Sequence, residues 1–170
     1  MGRDKALLPI DGRAMALRVA DALWSAGAAE VVAQGGDPDA LASLGMLVRQ
    51  DREPGGGPLP ATLQALDETV RDIVVVLSCD LLHPAPAVIG SLVAALRGAP
   101  DVGAAVPRSD GELQWTHAAW RRWAAEGLRA AQAEGARSLR RAAGGLDLLE
   151  VTGIDPTALA DADLPSDLGG

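Results

Sequence analysis

Ile73, Val74, Val75, Val76 and Leu77 form an unbroken run of large apolar side chains, four of them β-branched, between Asp72 and Ser78. A run this short, with no polar alternation, is predicted to be a strand covered on both faces, as in a parallel sheet. It closes at Ser78-Cys79-Asp80, where the chain leaves the sheet. Open α/β sheets take ligands beyond the carboxyl ends of their strands. An Asp at that edge can hold a hard cation such as Mg²⁺ through oxygen. It can equally be a turn or helix-capping residue, and this stretch alone leaves both readings open.

The flanking sequence repeats the theme of strand followed by helix. Helices are predicted over residues 14–26 and 39–44, and from 61 to 70. A further helix follows Pro86, with Val88, Leu92 and Leu96 on one face. Strands are predicted over 31–34, 46–48, 102–106 and 146–151. Residues 112–116 read as extended. Residues 118–133 read as mostly helical, interrupted at Gly127 and beginning just after His117, and 138–143 as a short helix. Near the start, Asp11-Gly12 marks a turn after a brief extended piece. The alternation argues for an α/β sandwich with a mainly parallel sheet. The 170 residues are enough for one such domain, expected over 1–170.

Charge and composition narrow the function. The net charge of −8 argues against a nucleic-acid surface or an anionic membrane, although local cations and backbone amides can still hold a small anion. A single cysteine, Cys79, allows no internal disulfide and no cysteine-based zinc site, and it reads as a small buried residue. His83 and His117 have no ligand spacing. No apolar run is long enough to span a bilayer and no signal peptide is visible, so the cytoplasm is the expected location. Phe and Tyr are absent, so any aromatic stacking falls to Trp24, Trp115, Trp120 or Trp123, with Trp115 the candidate.

Asp51-Arg52-Glu53-Pro54-Gly55-Gly56-Gly57-Pro58-Leu59 excludes both a helix interior and a central strand. It is either a flexible linker or a loop that brings backbone close to a ligand. The helix that follows could turn its amino terminus toward an anion.

Four segments, in order, resemble the molybdenum cofactor guanylyltransferase family of the nucleotidyltransferase superfamily. They are Met1-Gly2-Arg3-Asp4-Lys5-Ala6-Leu7-Leu8; Asp51 with Pro54, Gly55, Gly57, Pro58 and Leu59; Cys79-Asp80 after its apolar strand; and Asp161-Ala162-Asp163-Leu164-Pro165-Ser166-Asp167-Leu168. The resemblance implies a Rossmann-like three-layer α/β sandwich of the nucleotide-diphospho-sugar-transferase type. It also implies that the family's first strand and most of its Gly-rich loop have no counterpart here, apart from Met1 and Gly2. Such a chain would expose strand edges and be poorly soluble or dimeric; a monomer or weak homo-oligomer is expected. Gln114 takes the place of a family Gln, with Trp115-Thr116 where the family has Pro-Leu.

By the same resemblance, Lys5 and Asp80 are the catalytic pair, with Mg²⁺ held by Asp80 and with Asp161 and Asp163 as further candidate ligands. Lys5, Gln34, Asp51, Gly56, Gly57 and Asp80 contact the nucleotide. The implied reaction moves GMP from GTP to molybdopterin and releases pyrophosphate. Arg121 and Arg122 read as a solvated pair that could instead meet the anionic pterin. The alternatives are a cytidylyltransferase or other NTP transferase of the same fold, or a non-catalytic truncated homologue that binds a partner.

Overall fold

The computed structural model describes residues 4–162. Met1 to Arg3 of the first motif, and Asp163 with the rest of the fourth, lie outside the described residues.

The chain begins with a single 3₁₀ turn, Lys5–Leu7, followed by a small hairpin of β1 (Pro9–Ile10) and β2 (Arg13–Ala14). Asp11 and Gly12, with φ of 51° and 76°, supply the two left-handed residues that a tight hairpin turn requires. Helix α1 (Met15–Ser25) follows directly, then β3 (Val32–Gln34), α2 (Pro38–Ser43) and β4 (Leu47–Arg49). Strands β3 and β4 pair in parallel as a two-stranded sheet, Val32 opposite Leu47 and Gln34 opposite Arg49. Ala6, Ala16 and Leu41 form a small core against it, joined by Leu7, Ala33, Met46 and Val48.

Helix α3 (Pro58–Glu68) starts earlier than the predicted 61. Pro58 occupies its first turn, where a missing N–H is harmless, and Gly57 caps it at φ 83°. The apolar run becomes β5 (Ile73–Val76), followed by α4 (Pro86–Gly98), β6 (Ala104–Ser109), β7 (Glu112–Leu113), β8 (Ala118–Arg121), α5 (Ala124–Ala133), α6 (Leu139–Ala142) and β9 (Leu148–Val151). The central sheet runs β5-β8-β6-β9, with β7 folded back on the end of β6. Strand β8 is antiparallel to both β5 and β6, and β9 is parallel to β6. Thus β5, β6 and β9 share a direction and β8 runs against them.

Both faces of this sheet are covered, which completes the three layers. Val74 and Val76 turn to a core built with Leu59, Leu63, Leu66, Leu128 and Leu139 from α3, α5 and α6. Ile73 and Val75 turn to Leu92 and Leu96 of α4. The run is therefore a strand covered on both faces, as read, although its ladder to β8 is antiparallel rather than parallel and each of its four strand residues is only half-buried.

Two expectations are corrected. Residues 118–121 are strand rather than helix. Alanine favours helix locally, but Ala118 and Trp120 face one core while Ala119 faces the other, and all three are fully buried. The pairing of Ala104 with Trp120 and of Ala105 with Ala119 sets small residues beside the large indole, so sheet packing overrides propensity. Gly127 does not interrupt α5. A methyl there would come within 2.8 Å of Leu146 Cδ2, so the glycine admits a close neighbour.

Candidate active site

The Lys5 turn is built by the residue before it. The Asp4 carboxylate accepts from the Ala6 N–H at 3.0 Å, an N-cap contact, and from the Asp37 N–H at 3.0 Å, which ties the turn to the end of β3. Held there, Lys5 reaches the segment after β5. Its Nζ donates to Asp80 Oδ2 at 3.2 Å and to the Ala162 carbonyl at 2.6 Å. The Ser78 hydroxyl donates to the other oxygen, Asp80 Oδ1. Side-chain exposures of 33% for Lys5 and 17% for Asp80 leave the pair reachable from solvent.

Burial alone would raise the Asp80 pKa. The hydrogen bonds from Ser78 and Lys5, with the lysine's charge, outweigh it and hold the carboxyl below its usual value. Asp80 is therefore an anion throughout the neutral range. The same surroundings act oppositely on Cys79, which is exposed rather than buried as read. Desolvation by the adjoining chain, with the charges of Asp80, Asp4 and Asp161, pushes its thiol up to about 11.

Asp161 reaches this place through a strip of chain that pairs with the segment after β5. Leu81 and Asp161 form an antiparallel bridge, Leu82 N–H donates to Ala160 O at 2.9 Å, and Ala162 N–H donates to Asp80 O at 2.9 Å. Among the described residues no three His, Cys, Asp or Glu side chains converge as a metal cage. Asp80, with Asp161 on the adjoining strip, still suits a cation that keeps several waters and completes its shell with phosphate oxygens, the habit of Mg²⁺.

The remaining sequence candidates gather elsewhere. Gln34 Nε2 donates to Ala61 O at 2.9 Å, so its amide is engaged with the start of α3. Asp51 lies against Gly35; a methyl on Gly35 would fall 2.5 Å from Asp51 Oδ2. Its Oδ1 is buried with no hydrogen-bond partner among the described residues. Gly56 closes a turn onto Glu53 O, and a methyl there would meet Pro60 Cγ at 2.7 Å. A cavity of about 180 Å³ opens between α3 and α5, lined by Asp51, Gly57, Gln64 and Arg129 among others; neither Lys5 nor Asp80 lines it. The structure thus brings together Lys5, Asp80 and Asp161 in one group, and Gln34, Asp51 and Gly57 in another. The ends of the β3–β4 sheet link the two, through Asp4 to Asp37 on one side and Gly35 to Asp51 on the other.

Several contributors were not singled out from sequence. Asp4 and Ser78 each stand close to the residue they support, and the spacing of Asp4 before Ala6 is a capping signal. Gln64 accepts from Arg52 N–H and donates to Gln50 O, fastening the glycine loop to α3. His117 is fully buried just before β8 rather than starting a helix. Arg121 sits in β8 and donates to Leu96 O at 2.7 Å, while Arg122 is exposed. Trp120 is core; Trp115 packs partly against the same core, and Trp24 and Trp123 are exposed.

Asp80 just beyond β5, a lysine brought against it from the first turn, and helices on both sheet faces make up the candidate site and its frame. The chain belongs to the family of MobA-like NTP transferase domains, which it matches over residues 1–148. Solved structures share its fold. Molybdopterin-guanine dinucleotide biosynthesis protein A from Archaeoglobus fulgidus superposes with a TM-score of 0.77 at 18% identity, covering 98% of this chain and 88% of that one. 2-C-methyl-D-erythritol 4-phosphate cytidylyltransferase from Thermus thermophilus gives 0.74 at 20% identity, covering 96% and 90%. A Mycobacterium tuberculosis protein crystallised with manganese gives 0.71 at 19% identity, covering 98% and 90%. No curated protein sequence matches the chain. Among the described residues no helix is long and apolar enough to cross a membrane.

Proposed function

We propose that this chain transfers GMP from GTP to the phosphate of molybdopterin, with Mg²⁺ as cofactor. The observation that carries the reading is the Lys5–Asp80 contact at the carboxyl end of β5. In the reaction an oxygen of the acceptor phosphate bonds to the α-phosphorus of GTP. The bond from that phosphorus to the bridging oxygen breaks, and pyrophosphate leaves with the electron pair. The acceptor phosphate is already ionised near neutral pH, so the protein has no proton to remove; its work is positioning and charge.

Lys5 Nζ supplies a fixed positive charge to the phosphoryl oxygens. Asp80, and Asp161 beside it, would hold Mg²⁺, which when bound neutralises charge on the α-phosphate and the leaving pyrophosphate. Ser78 and the Ala162 carbonyl keep the Asp80 and Lys5 side chains in place. Asp51, whose side chain borders the cavity between α3 and α5, supports guanine as the base. A carboxylate oxygen accepts from guanine's N1–H and N2–H₂, whereas cytosine sets an acceptor beside its single amino group. The superposition on a cytidylyltransferase, only slightly looser than that on the Archaeoglobus protein, supports CMP transfer as a second reading.

The test is pyrophosphate release from GTP or CTP with Mg²⁺ and molybdopterin. Lys5→Ala is expected to lower turnover by about 10²–10³-fold, the loss typical of removing one fixed stabiliser of developing charge. Wild-type turnover with CTP and none with GTP would replace the guanylyl reading by the cytidylyl one.

A further inference from the structure

His117 is a polar side chain that packing does not explain. It is 0% exposed, and Leu77, Leu81, Ile89, Leu92, Ala158 and Leu159 wall the small apolar cavity beside it. Neither ring nitrogen has a hydrogen-bond partner among the described residues. Leaving such a group unsatisfied is destabilising, and a leucine would suit those walls without that penalty. The Asp161 carboxylate is set against the ring. His117 Nε2 lies 3.2 Å from Asp161 Oδ1, which is itself buried with no other partner. The Asp161 side chain as a whole is 33% exposed, so its accessible part lies away from the histidine.

We infer that His117 is a positioning residue for this site: the imidazole, protonated on Nε2, holds Asp161 Oδ1 and so turns the second oxygen toward the cation position beside Asp80. This deepens the proposed function and rests on it. The bridge of Leu81 to Asp161 sets the carboxylate's place along the strip, but a bridge fixes backbone and leaves the side-chain torsions free. The buried ring supplies the missing restraint from a separate element, the entry to β8. The 3.2 Å approach is not aligned as a hydrogen bond, and the inference requires it to align when a cation draws on the other oxygen. Groups that orient ligating carboxylates in this way typically contribute about 10–100-fold in metal affinity.

The experiment is Mn²⁺ binding to the intact chain, without nucleotide, read from the loss of the free-ion electron paramagnetic resonance signal. His117→Leu is expected to weaken Mn²⁺ binding about tenfold or more. His117→Gln, whose amide reaches as far as Nε2, is expected to restore most of it. If His117→Leu does not fold, His117→Asn takes its place, because its amide stops short of Asp161. Placed on Asp161→Asn, the His117 change is expected to cause no further loss, since it acts through that carboxylate. Unchanged Mn²⁺ binding in His117→Leu, or losses that simply add to those of Asp161→Asn, would overturn the inference while leaving the cation reading intact. If Asp80→Asn binds Mn²⁺ as the parent does, the cation reading itself fails, and this inference falls with it.

Discussion

Cys79 and Asp80 are adjacent, share one surface, and are driven in opposite directions by it. Lys5 and Ser78 keep Asp80 ionised; desolvation and three carboxylates keep Cys79 a thiol, with its pKa at about 11. The thiolate is the reactive form. Exposed as it is, Cys79 is therefore expected to alkylate at pH 8 on the order of 10²-fold more slowly than a free cysteine. Asp80→Asn should speed that reaction by removing the largest neighbouring charge. The linkage has a definite sign. A thiol pKa raised on folding contributes stability that is complete below the unfolded value and disappears as pH rises through about 11. Iodoacetamide modification followed by mass spectrometry checks the rate; parent-like alkylation in Asp80→Asn would refute the charge argument. At this scale the family resemblance pointed to Lys5 and Asp80, which both sit in short motifs, and the fold sets the two side chains in contact. The sequence did not reveal His117 or the Ala162 carbonyl, whose partners lie far along the chain and which no local pattern marks.

Strand β8 shows what an element can hide. Its four residues, Ala118, Ala119, Trp120 and Arg121, carry no β-branched side chain and read as helix. In the fold they fill the space between β5 and β6, with Trp120 opposite Ala104 on one side and Val74 on the other. The apolar run of β5 was legible because β-branching and burial agree there; β8 was not, because its strand character is imposed by its neighbours. Trp120 is accordingly expected to dominate the larger core. Trp120→Ala should lower unfolding stability by about 3–5 kcal/mol in urea titration. Ala119→Val would test the other face, since Ala119 is fully buried in a cluster with Leu92 and Leu96; overpacking there is expected to cost about 1–3 kcal/mol. A Trp120→Ala loss below about 1 kcal/mol would mean that the indole is not a core element.

Besides the β1–β2 hairpin, the described residues form two sheets, and β5 and the β3–β4 pair each have an edge with no strand partner among those residues. β5 ends the central sheet on one side, and β3–β4 stands as a separate pair. Each carries unpaired backbone groups along its open edge, the usual template for strand addition. Concentration-dependent self-association is expected in sedimentation velocity; a single monomeric species across the accessible range would contradict it. The three-layer fold was readable from the alternation of elements; the split into a small and a large sheet was not, because no local pattern states which strands pair.

The measurement that bears most directly on the proposed function is thermal unfolding with GTP and CTP, each with and without Mg²⁺, on the parent chain and Asp80→Asn. A ligand at about 100 times its dissociation constant stabilises by about 2.7 kcal/mol, or roughly 5–10 °C for a chain of this size. The account predicts a rise selective for GTP, enlarged by Mg²⁺, with the Mg²⁺-dependent part absent in Asp80→Asn. No response to either nucleotide, or a Mg²⁺-dependent rise that survives Asp80→Asn, would contradict it.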